Sequence, residues 1–289
     1  MKRCIMTVCS ADWYQYYIPI FVWSINRVWE KIDIRIYIRG FLSPVIEDLL
    51  YECCMMKPNL EIVENYKKEY PNLVSTTNSL RFVTEDIDGY NEVFVTDIDF
   101  FFTESPVDLF HWHKIQLENM SNDCYSGCHG PLIRPPRPSI CTSWTGDFQR
   151  IAGGFVMLYP AWWKTTKEHR EHWDDQLKQG KWGHFREADE VMLYRIIRDS
   201  GLPIAPKVPF PRYLRQIHLG DYRPNMTVRN QNMQKMRSLV DGRCINQFLN
   251  ALEDRTFSMI LDCVRQKQQM DEVLSLAIEY CQKRKRNEA

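Results

Sequence analysis

Residues 93–102 read Val-Phe-Val-Thr-Asp-Ile-Asp-Phe-Phe-Phe, an apolar run that ends in two carboxylates two residues apart. On a β-strand, residues i and i+2 point to the same side, so Asp97 and Asp99 can share one ligand. In open α/β sheets, ligands bind beyond the carboxyl ends of the strands. Two acids there, among hydrophobic residues, favour a hard cation such as Mg²⁺ or Mn²⁺ that can bridge to a diphosphate. A strand-end turn with two solvated acids is the other interpretation of this pair.

The segments before this pair alternate between strand and helix patterns. Apolar runs predict four strands, at 3–9, 33–38, 60–63 and the run that ends at Asp97. Helices are expected between them, at 13–30, from Ser43 onward and at 75–86. Asp12 is a candidate N-cap, and Pro19 predicts irregular opening turns in the first helix. This alternation predicts an α/β fold around a mainly parallel sheet.

The segments after the pair are less regular. The predicted elements are a short helix at 106–110, a long loop at 121–148, a strand at 153–159, helices up to 178 and at 187–199, a strand at 213–219 and a turn at 220–224. From residue 244 onward the pattern is helical. We therefore expect one domain at 1–228, followed by a C-terminal helical extension at 229–289.

The composition favours a globular protein of the reducing cytoplasm. The chain has 289 residues, 44% hydrophobic, and its formal net charge of zero does not indicate a general polyanion binder. Ten scattered cysteines in a chain of this size indicate free thiols. We find no signal-length apolar segment after Met1 and no apolar run of the roughly 20 residues that span a bilayer.

Two smaller patterns leave their interpretation open. Cys124, Cys128 and His129 could bind zinc, although the spacing is not a standard one and a fourth ligand is undefined. The basic run 283–286 is either a solvated helix end or a contact with a membrane surface or a partner.

Six motifs follow one another along residues 3–224. In chain order they are Ser10-Ala11-Asp12 with Tyr17, Arg81, Thr96-Asp97-Ile98-Asp99, Gly153-Gly154, Asp189-Glu190 and His218-Leu-Gly220-Asp-Tyr-Arg223-Pro224. Together they resemble the GT-A glycosyltransferases. Their order is similar to that of glycosyltransferase family eight, the group of glycogenin and bacterial galactosyltransferases.

This resemblance implies a Rossmann-like GT-A sheet flanked by helices, and an enzyme that transfers sugar from a UDP-sugar with Mn²⁺ or Mg²⁺. Asp97, Asp99 and His218 would hold the metal, and Asp189 and Glu190 would be catalytic. The residues that would contact the donor and its metal are Ser10, Ala11, Asp12, Tyr17, Arg81, Thr96, Asp97, Ile98, Asp99, Gly153, Gly154, Gly220 and Arg223.

Some positions depart from the family pattern. Ala152, Glu190 and Arg223 stand where the family has Asn, Gln and Lys, and the closing motif is one residue shorter. Glu190 is compatible with retention of configuration through a covalent intermediate, and equally with a base in an inverting reaction.

The sequence also bears on alternative functions and on the acceptor. A nucleotidyltransferase would need a Gly-rich basic loop after the first strand, which this chain lacks. A sugar-nucleotide-binding protein without turnover stays open. A carbohydrate, a lipid-linked sugar, a protein or a modified nucleobase are all open as the acceptor.

Overall fold

The computed structural model describes residues 1–29, 31–84, 87, 89–105, 111, 115, 118, 123–129, 151–186, 188–203, 216–224 and 240–288. Its strands are β1 (Arg3–Ser10), β2 (Asp33–Arg39), β3 (Leu60–Val63), β4 (Glu92–Thr96), β5 (Phe100–Phe102), β6 (Tyr125–His129), β7 (Ile151–Leu158) and β8 (Gln216–His218). Its α-helices are α1 (Ile18–Val28), α2 (Pro44–Glu52), α3 (Thr76–Leu80), α4 (Pro160–Thr165), α5 (Lys167–Lys178), α6 (Ala188–Asp199), α7 (Gly242–Ala251), α8 (Arg255–Val264) and α9 (Gln268–Glu288).

The described strands form a six-stranded sheet and a separate two-stranded one. The large sheet has the order β3-β2-β1-β4-β7-β6. Its first four strands are parallel to one another, β7 pairs antiparallel with β4, and β6 pairs antiparallel with β7. Residues 4–9 of β1 are buried throughout, as expected for a central strand covered on both faces. The predicted α/β architecture with a mainly parallel sheet and helices after it is confirmed.

The chain between β1 and α1 has the predicted irregularity. Residues Trp13–Tyr17 form a 3₁₀ helix, and the backbone N–H of Tyr14 donates to Asp12 Oδ1 at 2.9 Å. Asp12 is therefore the N-cap of this turn. Pro19 lies in the first turn of α1, where its missing N–H has no helical partner to lose.

Several predicted boundaries were wrong. The helix expected at 75–86 ends at Leu80, and the Thr84 hydroxyl donates to the carbonyl of Arg81 in the turn that follows, a local bond that competes with helix continuation. The region expected as a loop at 121–148 contains strand β6, which pairs with β7. The last strand is confined to Gln216–His218 within the described residues. The predicted helix at 106–110 and residues 130–148 lie outside the described residues.

The helices after residue 240 pack into the same apolar core as α1 and β5. Phe257 of α8 is fully buried, and its ring centroid lies 4.4 Å from that of Trp23 and 5.4 Å from that of Phe101. The boundary predicted at 228/229 lies outside the described residues, so the division into two domains stays a prediction. None of the helices in the described ranges combines the length and apolarity needed to cross a bilayer.

We expect Phe257→Ala to lower the free energy of unfolding by about 3–5 kcal/mol, because it removes a fully buried ring that joins α8 to α1 and β5. Urea unfolding would measure the change. Met259→Ala on the same helix is the matched control, since Met259 is 44% exposed and should change stability by no more than about 0.5 kcal/mol. Equal stabilities for the two variants would contradict a shared core.

Candidate metal and nucleotide site

The two strand-end acids meet a histidine from a distant part of the chain. Asp97 follows β4 and Asp99 precedes β5, which pairs antiparallel with β8 so that Phe100 lies opposite His218. This pairing brings His218 Nε2 to 3.0 Å from Asp99 Oδ1. The edge-to-face contact between Phe100 and the imidazole, with centroids 4.8 Å apart, fixes the ring further.

Asp97, Asp99 and His218 form a cluster that could hold one metal ion. One ligand atom from each residue lies within 4.8 Å of the others. Asp99 is buried, whereas the side chains of Asp97 and His218 are 24% and 32% exposed, which leaves the cluster open on one side. The structure thus brings together the three residues predicted as ligands, and their role stays a prediction.

Two predicted glycines give the acids their space. A Cβ atom at Gly154 of β7 would lie 2.0 Å from Asp97 Oδ2, and one at Gly220 would lie 2.0 Å from Asp99 Oδ2. No side chain fits at either position unless the carboxylate moves. Each carboxylate therefore occupies space that is open only because the residue on a neighbouring element is a glycine.

Arg81 joins Asp97 to one of the predicted catalytic residues. Its guanidinium forms an ion pair with Asp97 and a second one with Asp189 Oδ2 at 2.8 Å. The other oxygen of Asp189 accepts from the Ser75 hydroxyl at 3.2 Å. Both oxygens of Asp189 are engaged and the side chain is buried, so Arg81 is what connects it to Asp97, and its predicted catalytic role stays a prediction.

The closing segment, residues 218–224, supplies two further charges, one beside His218 and one beside Asp99. Asp221 Oδ1 lies 3.3 Å from His218 Nδ1, so it holds the imidazole from the side opposite Asp99. Arg223 donates through Nε to the carbonyl of Gly220 at 2.9 Å, and its Nη2 lies 3.6 Å from Asp99 Oδ2. His218 and Arg223 therefore both lie beside the carboxylate of Asp99.

These pairs change the pKa values of their members. Burial works against charge on His218, but Asp221 and Asp99 together raise its pKa well above the ordinary value. Burial likewise opposes ionisation of Asp99, and the neighbouring His218 and Arg223 nevertheless lower the pKa of that carboxyl. For Asp189 burial prevails and raises its pKa, although Arg81 opposes the change.

The residues present fit a divalent cation. Four carboxylates converge here with two guanidinium groups, namely Asp97, Asp99, Asp189 and Asp221 with Arg81 and Arg223. With a neutral imidazole this set carries two negative charges, which one divalent cation would balance. Carboxylate oxygens suit Mg²⁺ and Mn²⁺, and the imidazole favours Mn²⁺ because Mg²⁺ is usually held by carboxylates and water alone.

A buried hydroxyl beside the cluster also lacks a partner. Tyr17 is fully buried, and in the described part of the chain no hydrogen-bond partner meets its Oη. Burial raises its pKa, and the nearby Asp99 adds to the rise. Such an atom is costly to bury without a hydrogen bond, which a ligand could supply.

The other predicted residues lie on β1, β4, β7 and α6 or directly after them. Ser10, Ala11 and Asp12 follow one another at the carboxyl end of β1, where the Ser10 hydroxyl donates to Asp12 Oδ1 at 2.7 Å. Thr96 ends β4 and is buried, as is Ile98. Gly153 lies in β7, and Glu190 is half-buried in the first turn of α6.

Sequence reasoning missed Asp221 and Ser75. Asp221 stands three residues after His218, a spacing that could have indicated a carboxylate orienting the imidazole. Ser75 carried no local signal for a partner 114 residues away. The zinc pattern was not tested, because the side chains of Cys128 and His129 lie outside the described residues, and Cys124 is buried with its Sγ 3.4 Å from Thr165 Oγ1.

Solved structures with a similar fold are glycosyltransferases. The glycosyltransferase GlyE of Streptococcus pneumoniae TIGR4 has a TM-score of 0.50 at 12% identity, over 93% of this chain and 64% of that chain. The galactosyltransferase LgtC, solved with donor and acceptor sugar analogs, has a TM-score of 0.49 at 13% identity, over 82% of this chain and 94% of that one. This protein has the GT-A glycosyltransferase fold. No protein-family model and no curated protein matches the chain.

We expect Gly220→Ala to weaken Mn²⁺ binding by about tenfold to a hundredfold, because the added methyl group displaces the Asp99 carboxylate. Isothermal titration of the purified variant with MnCl₂ would measure the loss. Gly201→Ala is the control: its φ of +70° strains an alanine, but the new Cβ meets nothing within 4 Å, so stability falls slightly and Mn²⁺ affinity stays. Equal Mn²⁺ affinity in the two variants would show that Gly220 is not needed to place the Asp99 carboxylate for metal binding.

We expect Mn²⁺ affinity to rise with pH, because the metal needs a neutral imidazole and the raised pKa keeps His218 protonated above pH 6.5 in the free protein. One released proton corresponds to a rise of up to about tenfold per pH unit. Asp221→Asn should shift this rise to lower pH, since it removes a carboxylate that favours the protonated ring. Titrations at several pH values would show it, and a pH-independent affinity would argue against His218 as a ligand.

Proposed function

We propose that this protein is a metal-dependent glycosyltransferase that moves a sugar from a nucleotide-sugar, a UDP-sugar, to an acceptor. The observation that carries the proposal is the open cluster of Asp97, Asp99 and His218 with Arg223 beside it, at the carboxyl edge of the sheet. Its shared fold with the glycosyltransferase GlyE supports the same class. The family resemblance supports UDP as the nucleotide.

A sugar leaves its nucleotide readily only if the charge on the departing diphosphate is neutralised. A Mn²⁺ ion held by Asp97, Asp99 and His218 would supply that neutralisation as a Lewis acid. Arg223 adds a fixed cation, because its guanidinium is 29% exposed and can turn its remaining N–H groups to phosphate oxygens.

The two carboxylates on α6 take different roles in this proposal. Asp189 is a positioning residue, because its oxygens hold Arg81 and Ser75 and thereby fix Asp97. Glu190 is the carboxylate that faces the anomeric centre, where it would stabilise the positive charge that develops as the bond to the nucleotide breaks. We propose retention of configuration, and the NMR spectrum of the first product anomer would distinguish it from inversion.

The remaining expectations from the sequence stay predictions. They are a cytoplasmic location and a peripheral membrane contact through the basic end of α9, where Lys283 and Arg286 are exposed. The acceptor is open among a carbohydrate, a lipid-linked sugar, a protein and a modified nucleobase.

We expect UDP to raise the melting temperature more with Mn²⁺ than without it. We also expect Asp99→Asn to reduce Mn²⁺-dependent hydrolysis of UDP-sugars at least about a hundredfold, because it removes one metal-binding charge. A panel of UDP-glucose, UDP-galactose and UDP-N-acetylglucosamine would be assayed for released UDP. Asp33→Asn is the control. Asp33 is also ion-paired, but it lies at the amino end of β2, whereas the cluster lies at the carboxyl ends of the parallel strands.

If Asp99→Asn hydrolyses UDP-sugars as fast as the wild type does, Asp99 is not a ligand of a catalytic metal ion. UDP binding without hydrolysis or transfer would instead indicate a sugar-nucleotide-binding protein.

A further inference from the structure

A cavity of about 390 Å³ lies at the carboxyl end of β1, and its walls come from both ends of the chain. Residues 11–13, Gln15, Tyr16 and Ser43 form one side. Lys267, just before α9, and Gln269, in its first turn, form the other. The volume lies within the range of small-molecule sites.

Polar groups of this cavity divide into structural and free ones. Gln15 is structural, because its Nε2 donates to the Ala11 carbonyl at 2.6 Å and its Oε1 accepts from the Ser43 N–H at 2.5 Å. Within the described ranges, by contrast, the indole N–H of Trp13 and the amide of Gln269 make no hydrogen bond. The ammonium of Lys267 meets no carboxylate there within 4 Å, and its one contact is the ring of Tyr16, 5.8 Å from Nζ to the centroid.

Tyr14 connects the cavity to the metal cluster. Its backbone N–H donates to Asp12 Oδ1 in the cavity wall, and its ring lies beneath the guanidinium of Arg223, 5.2 Å from carbon Cζ to the ring centroid. Arg223 in turn lies beside Asp99. A ligand with its diphosphate at Arg223 would therefore have its nucleoside next to Asp12.

The family resemblance implies that the donor nucleoside binds beside Asp12, and we propose that Lys267 and Gln269 of the C-terminal segment complete that part of the binding site. This inference rests on the proposed function. The rings of Trp13 and Tyr16 offer apolar faces to a base or ribose, Asp12 can accept from a ribose hydroxyl, and Lys267 and Gln269 donate to base or ribose oxygens. Nucleotide binding then needs residues from beyond the predicted domain at 1–228.

The test uses the full-length chain, with UDP and inorganic pyrophosphate as probes, both titrated calorimetrically in saturating Mn²⁺. Pyrophosphate carries the charge of the donor without its nucleoside. We expect Lys267→Met to weaken UDP binding about tenfold to a hundredfold, the value of one hydrogen bond from a charged group, and to leave pyrophosphate binding unchanged. Lys267→Arg, which keeps the charge, should restore most of the affinity for UDP.

Lys285→Met is the matched control, an exposed lysine near the far end of α9, roughly 25 Å from the start of that helix along its axis. Equal UDP affinity in Lys267→Met and Lys285→Met, with a wild type that binds UDP, would overturn this inference and leave the proposed function standing. Parallel loss of UDP and pyrophosphate would also overturn it, because Lys267 would then act on the phosphates. A wild type that binds neither probe would overturn the proposed function and this inference with it.

Discussion

Buried carboxylates need cationic partners, and in this protein those partners come from distant parts of the chain. An uncompensated buried charge costs several kcal/mol, so Asp99 and Asp189 can ionise in the core only if the surrounding elements bring counter-charges to them. Arg81 comes from the end of α3, His218 is the last residue of β8, and Arg223 comes from the segment that follows β8. The short pairing of β5 with β8 and the packing of α3 beside α6 are therefore conditions for the charge balance of the site.

The sequence predicted what depends on local spacing. The alternation around Asp97 and Asp99 is a property of one strand, and the N-cap at Asp12 is a property of one turn, so both could be read from neighbouring residues. The ion pair between Arg81 and Asp189 joins residues 108 positions apart. Strands β5 and β8 have three residues each, too few for a periodic pattern, and only their pairing brings His218 to Asp99.

The same cations that stabilise the free site are those that would meet the donor. On the proposed function, a metal ion would take over Asp97 and Asp99 and thereby release His218 from its ion pair and Arg223 from its contact with Asp99. The released guanidinium is then available to the diphosphate beside it. Binding of the metal would therefore favour binding of the nucleotide, because it frees Arg223 from Asp99. Binding of the nucleotide would likewise favour the metal, because a diphosphate that pairs with Arg223 frees Asp99.

The C-terminal helices help to position the site, as the sheet does. Helix α9 packs against the 3₁₀ helix Leu219–Tyr222, where the rings of Tyr280 and Tyr222 lie 5.6 Å apart between centroids. That short helix carries Gly220 and Asp221 and connects His218 to Arg223, so its position sets the geometry of the cation cluster. Helix α9 also begins beside the cavity at Asp12. On the proposed function, a change in the packing of α9 would therefore affect the acids through residues 218–224 and the nucleoside through Lys267 and Gln269. Both effects should appear as altered nucleotide affinity.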